Sequence, residues 1–315
     1  MESRRRLDRP SPALAVSTRV LPVLERAADR AGKAGAVVGR VAAVHASAVN
    51  LRIGEALITI ARASVGGLPT GIGLDEAFAP RAAGIRPGDP VAVSGTIVRV
   101  GPVAIDLAGV RPWSPRLPHR PIPVDLAERA AVLRSAVEPR GAGRAPLRAA
   151  DRRGPTGPAS TPREIDDVLE SRVRRLRSAV RRGDGAAIAA AGRALVGLGV
   201  GLTPSGDDVL VGLSAAWAAI GDAAGARQAG DWSAWADGRT TDVALDFHRA
   251  AADGAYAERL HDALAAILAG PIDAIPIAVA RAAAWGATSG TDTMRGVLIG
   301  LAGAAAAVHP VAGAA

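Results

Sequence analysis

The sequence predicts an α+β protein: a small β-rich barrel or sandwich over residues 14–115, followed by an Ala-rich helical domain over 163–310. Three observations carry this. Short β-branched runs separated by Gly, Asn or Pro fill the stretch from Ala36 to Trp113. Long segments with apolar residues three and four positions apart fill the chain after residue 162. Between them, "EPRGAGRAPLRAADRRGPTGPASTP" has no periodic apolar face, which predicts a Pro/Gly/Arg-rich linker or loop over 138–162.

In the first region, "AVVGRVAAVH", "AVNLRIG", "ALITIARA", "PVAVSGTIVRVG" and "VAIDLAGV" read as strands at barrel-like spacing. Pro87-Gly88 predicts a turn in which Asp89 bonds the local backbone. "RVGPVAIDL" predicts a hairpin across Gly101-Pro102. A helix is expected over Pro121–Val137.

In the second region, "REIDDVLESRVRRLRSAVRRG" places Ile165, Val168, Leu169, Val173, Leu176 and Val180 on one face, with acids first and arginines last, as the helix dipole favours. Asp184 is positioned to cap the next helix. Further helices are expected over Asp207–Ile220, Thr240–Ala252, Ala255–Leu268, Ile275–Trp285 and Thr291–Val308. "DWSAWADG" reads as a surface turn over the helical core.

Composition excludes some chemistry. There are no cysteines, so disulfides, thiolate nucleophiles and Cys-ligated metals are ruled out. The net charge of +8 is almost all Arg, with Lys33 the only lysine, and much of it lies at Arg4–Arg6 and Arg140–Arg153, where a basic segment is simply solvated. A nucleic-acid-binding protein would use the latter segment, but few aromatics and no recognisable reading helix accompany it. The N-terminus has charge without a sustained apolar region, so no signal peptide is expected. Gly296–Ala315 is rich in Ala and Gly and reads as a buried terminal helix rather than a membrane span. A cytoplasmic protein is expected, with neither membrane nor nucleic acid as partner.

Two stretches share one spacing. "GLGVGLTPSGDDVLVGL" (Gly197–Leu213) and "TSGTDTMRGVLIGL" (Thr288–Leu301) align Ser205, Gly206, Asp208 and Gly212 with Ser289, Gly290, Asp292 and Gly296. Each Ser and Asp pair has the spacing of a capping-box variant. Two well-capped helices packed through small residues would explain Gly212 and Gly296. That reading does not require Gly after both serines, where it costs helix stability, nor the Gly-rich lead-in. A glycine-rich approach to a helix start leaves N–H groups that suit phosphate or a small carboxylate. Asp207, Asp208 and Asp292 would then face away, hold a cation, or bind substrate N–H groups. Both readings stay open on the residues alone. The lead-in lacks the Gly-Lys-Ser/Thr of a P-loop and the strand context and acid of a dinucleotide site. His248 and His261 lie thirteen residues apart and read as core or surface residues rather than a metal pair. No spacing supports a Ser-His-Asp triad.

The first motif closely resembles the signature of the AllH-type subunit family of oxamate carbamoyltransferase. The second resembles that family's C-terminal signature, "TTDVALDFHRAAADGAYAERLHDALAAI" its middle helices, and "GIRPGDPVAVSGTIVRVGPVAIDLAGVRPW" its β-rich N-terminal part. The resemblance implies allantoin (purine) or related nitrogen catabolism, and exchange of a carbamoyl group between oxalurate and phosphate to give oxamate and carbamoyl phosphate. It also implies other protein subunits. On this reading Asp208, Asp292 and Ser205 are the catalytic candidates. Gly199, Gly201, Thr203, Gly206, Asp207, Ser289, Gly290 and Arg295 are the substrate-binding candidates, with Arg239 and Arg249 as alternative carboxylate receptors. No cofactor is certain, and a divalent metal is left open by the paired acids. A non-catalytic subunit that binds a small anion or scaffolds a complex is the alternative.

Overall fold

The computed structural model describes residues 10–31, 36–138 and 162–308. The expected linker falls almost wholly outside them, as do Arg4–Arg6, Arg140–Arg153 and the chain beyond Val308. The chain divides into two compact units between Pro115 and Arg116.

The first unit contains β1 (Ser11–Pro12), β2 (Ala15–Ser17), α1 (Leu21–Ala31), β3 (Val37–Val44), β4 (Ala48–Ile53), β5 (Ala56–Arg62), β6 (Gly71–Leu74), β7 (Pro90–Ser94), β8 (Ile97–Val100), β9 (Val103–Asp106) and β10 (Arg111–Trp113). They form one sheet in the order β1-β9-β8-β7-β3-β4-β5-β6-β2-β10, curled into a half-barrel, so the barrel-like alternative is the one realised. Pairing is antiparallel except for β5 with β6, β1 with β9 and β2 with β10. Two register shifts in β3, near Val37 and Val41, fit the curl, because bulges bend and twist a strand. Strands β7 and β8 alternate buried and exposed residues, as one apolar face requires. Val41, Leu51, Ile60, Ile72, Val91, Val98 and Ile105 build the core. The expected hairpin joins β8 to β9, with Gly101 at φ 53°, and Asp89 Oδ2 accepts the Arg86 N–H at 2.8 Å. Helix α1 was not expected. Its signal was the apolar spacing of Val20, Leu24 and Ala27, all of which are buried in this core.

The second unit contains α2 (Leu126–Val137), α3 (Pro162–Arg182), α4 (Gly185–Arg193), α5 (Ser205–Ile220), α6 (Ala223–Ala236), α7 (Asp242–Ala252), α8 (Glu258–Ala269), α9 (Ile275–Ala283) and α10 (Ser289–Val308). Helix α2 starts later than expected, since Pro121 and Pro123 hold the preceding chain out of helix. Asp184 caps α4 by accepting from Ala187 N–H at 3.0 Å.

The surface turn expected at "DWSAWADG" is corrected: these residues close a regular helix, α6, capped by Asp222 through the Ala224 and Gly225 amides. Trp232 is fully buried on Gly192, where any side chain would overlap its ring, and it stacks on Trp217 at 5.8 Å. Glycines at 225 and 230 had masked the helical period. Trp235 is the half-exposed member, flanked by Arg193 and Arg239.

Helix α5 is buried on nearly every side, from Ser205 to Ala219, as a helix at the centre of a bundle must be. Its closest neighbour is α10. Gly212 faces the Thr293 carbonyl, Gly296 faces Val209 and Leu213, and Gly300 faces Ala216. These contacts advance in the same direction along both helices, so α5 and α10 run parallel. Their starts, and both copies of the repeated motif, therefore lie at one end.

Candidate functional site

The site is built where α5 and α10 begin. The N-cap of α5 lies one residue before the serine. Pro204 is the N-cap of α5 and its carbonyl accepts the Asp207 and Asp208 amides at 2.9 and 3.1 Å, which leaves Ser205 as the first helical residue. In α10 the Thr288 carbonyl likewise accepts the Asp292 amide at 2.9 Å. Proline has no N–H but a normal carbonyl, so it opens a helix well.

The glycines after the serines are used identically. Gly206 N–H donates to Leu198 O and Gly290 N–H to Trp285 O, both at 2.8 Å. A side chain on Gly206 would overlap the Leu195 carbonyl, and one on Gly290 the Ala282 carbonyl. Each helix start is thereby held against the chain that follows the helix before it. It follows that the 206, 207, 208, 290 and 292 amides donate to carbonyls of their own fold. The lead-in bends through Gly197, Gly199 and Gly201, all at positive φ. At Gly197 no Cβ is tolerated, because the Arg239 carbonyl occupies that place.

The two adjacent aspartates have separate surroundings. Asp207 is 1% exposed and fully engaged: Oδ1 pairs with His248 Nε2 at 2.8 Å, Oδ2 accepts from Thr240 Oγ1 at 2.7 Å, and the Gly197 amide reaches both oxygens at 3.1–3.2 Å. His248 is buried on α7, so this histidine is a core partner. Asp208 is 5% exposed, and its Oδ2 has no hydrogen-bond partner among the described residues.

Around Asp208 stand the residues of both motifs. Thr203 Oγ1 and Ser289 Oγ lie 2.7 Å apart, joining the lead-in of α5 to the first residue of α10. Asp292 is buried, with its Oδ1 3.8 Å from Arg295. Burial, first, and the neighbouring Asp292, second, hold the Asp208 carboxyl well above the usual carboxylate range; the Ser289 and Thr203 hydroxyls and Asp207 have smaller effects, the hydroxyls in the opposite direction.

Asp208 binds its proton more tightly folded than unfolded, so its contribution to stability is greatest below the unfolded value near 3.8. It is lost progressively as pH rises towards the folded value, at up to about 1.4 kcal/mol per pH unit. Asp208→Asn, which cannot ionise, is therefore expected to be more stable than the wild type at neutral pH, with the difference shrinking towards pH 4. Urea midpoints of both proteins across that range measure it, and a constant or inverted difference would refute the assignment.

The fold thus gathers Thr203, Asp208, Ser289 and Asp292, and brings Arg295 beside them. Arg295 gives Nη1 and Nη2 to Glu170 at 2.7 Å each, a fork that sequence reasoning missed because Glu170 lies on α3. Ser205 is buried at the first turn of α5, Gly206 packs against the Leu195 carbonyl, and Gly199 and Gly201 shape the lead-in. Of the other arginines, Arg239 stacks on Trp235 and Arg249 approaches Asp237 at 3.9 Å. Among the described residues, no group of three or more His, Cys, Asp or Glu is arranged to hold a metal ion, and no helix is long and apolar enough to cross a membrane.

Residues 195–301, which include both motifs, match the family model described as oxamate carbamoyltransferase subunit AllH, and residues 13–112 match the AllH family N-terminal domain. No curated protein and no solved structure matches the chain.

Proposed function

The chain belongs to the AllH family of oxamate carbamoyltransferase subunits, and on that basis we propose that it supplies the carbamoyl site of such an enzyme, exchanging the group between oxalurate, or a related ureido acid, and phosphate in nitrogen catabolism. The description of the family as a subunit supports a multi-subunit assembly, which we place in the cytoplasm.

The observation that carries this reading is the Thr203–Ser289 hydroxyl pair set beside a buried carboxyl whose Oδ2 has no partner. A carbamoyl group presents an N–H donor and a carbonyl acceptor side by side. A protonated carboxyl presents the complementary acceptor and donor. During transfer, negative charge builds on the carbamoyl oxygen. Fixed hydroxyl donors and the aligned dipoles of two parallel helices oppose that charge without reorganising. A capping-and-packing role alone leaves the orphaned Asp208 oxygen unexplained.

The test is carbamoyl phosphate formation from oxalurate and phosphate by the chain assembled with its partner subunits. Ser289→Ala and Thr203→Val are expected to reduce turnover by about 10²–10³, the usual loss for one oxyanion donor, while the assembly stays intact. An intact assembly that neither consumes oxalurate nor carbamoylates oxamate would remove the substrate assignment. Unchanged turnover in both variants would support the non-catalytic reading, in which the chain only scaffolds.

A further inference from the structure

Asp207 and Asp208 are both buried, but only Asp208 has an oxygen left over. A buried polar atom without a partner costs about 1–3 kcal/mol, so the fold does not retain one for stability. Its neighbours are specific. Ser289 and Thr203 provide a hydroxyl pair 2.7 Å apart, and each hydroxyl can accept one proton while passing on another. Both are only half-buried, whereas Asp208 lies deeper.

We propose that Asp208 is the proton source of the transfer, feeding the leaving nitrogen through the Ser289 hydroxyl. This rests on the carbamoyltransferase reading above. An oxygen of hydrogen phosphate attacks the carbamoyl carbon of oxalurate and forms the new C–O bond. The bond from that carbon to the inner nitrogen breaks, and its electron pair stays on the nitrogen. The Ser289 hydroxyl gives its proton to that nitrogen, completing the amide of oxamate, and takes the Asp208 proton in its place. The phosphate proton, lost as carbamoyl phosphate forms, reloads Asp208. Each cycle therefore returns the carboxyl to its starting state with no other co-reactant.

The charged groups around Asp208 fit a proton store. Asp292, on α10, is the acid that opposes its ionisation from across the helix pair. Asp292 approaches Arg295, but Glu170 on α3 takes that guanidinium bidentately, which limits how far Arg295 can relieve the repulsion. Asp207, on the same helix, is committed to His248 on α7. Asp292 is thus a positioning residue: it acts through Asp208.

The experiment uses the assembled complex and measures kcat, KM and the pH profile of oxalurate phosphorolysis. Asp208→Asn is expected to lower kcat by about 10²–10⁴, the range for loss of a general acid, with KM little changed. Asp292→Asn is expected to keep turnover at low pH and move the alkaline limb of the profile to lower pH, because the charge that retains the proton is gone. Thermal melts at the assay pH confirm that each variant is folded. A raised KM with unchanged kcat in Asp208→Asn would make Asp208 a binding group and overturn the proposal, as would an unmoved alkaline limb in Asp292→Asn. Failure of the wild-type complex to turn over oxalurate would instead strike the substrate reading.

Discussion

Gly212→Ala and Gly296→Ala are each expected to destabilise the helical unit by upwards of about 3 kcal/mol, enough to unfold a marginally stable unit. A methyl on Gly212 would enter the Thr293 carbonyl, and one on Gly296 would enter the Val209 carbonyl. In each case the obstacle is helical backbone, which cannot rotate away as a side-chain end can. The two parallel helices would have to separate, and their shared core would lose contacts along its length. Ala has the better helix propensity by about 1 kcal/mol, but that gain is smaller than the overlap. Gly230→Ala is the internal control. Nothing lies within 4 Å of a side chain there, so this variant should be neutral or more stable by about 0.5–1 kcal/mol. Urea unfolding of the three variants separates these outcomes. A Gly212→Ala midpoint equal to that of Gly230→Ala would show that α5 and α10 are not packed through their backbones.

The repeated motif was legible in the sequence because it is local: Ser, Gly, Asp and Gly at fixed offsets place their partners by helical geometry alone. So were the hairpin at Gly101, the Asp184 cap and most of the helices, where apolar spacing is regular. What failed was whatever depends on distant partners. Nothing near Asp208 says that Ser289 and Thr203 will meet beside it, and nothing near Arg295 announces Glu170. The helix at Ala223–Ala236 was hidden for a related reason. Gly225 weakens its local signal, yet it makes room for the Trp217 ring. The serines, too, looked like N-caps on spacing. The proline and threonine carbonyls just before them take that place, and the spacing cannot register a backbone group.

Asp207→Ala is expected to have the opposite sign to Asp208→Asn, although the two positions are adjacent. Successive side chains on a helix point about 100° apart, since 3.6 residues complete a turn. One aspartate therefore faces α7 and its neighbour faces the Thr203–Ser289 side. Removing the Asp207 carboxylate leaves the His248 ring, the Thr240 hydroxyl and the Gly197 amide without their acceptor in a buried site. Each buried donor left without its acceptor costs about 1–3 kcal/mol, because the remaining groups stay desolvated. The loss also reaches the site. Gly197 begins the lead-in that ends at Thr203, so releasing its amide loosens the loop that carries one of the two hydroxyls. Hydrogen exchange should show the Gly197 amide deprotected in Asp207→Ala and unaffected in Asp208→Asn, while urea midpoints at pH 7 fall in the first and rise in the second. If both variants shift in the same direction, the division of these carboxyls into an anchor and a proton store fails.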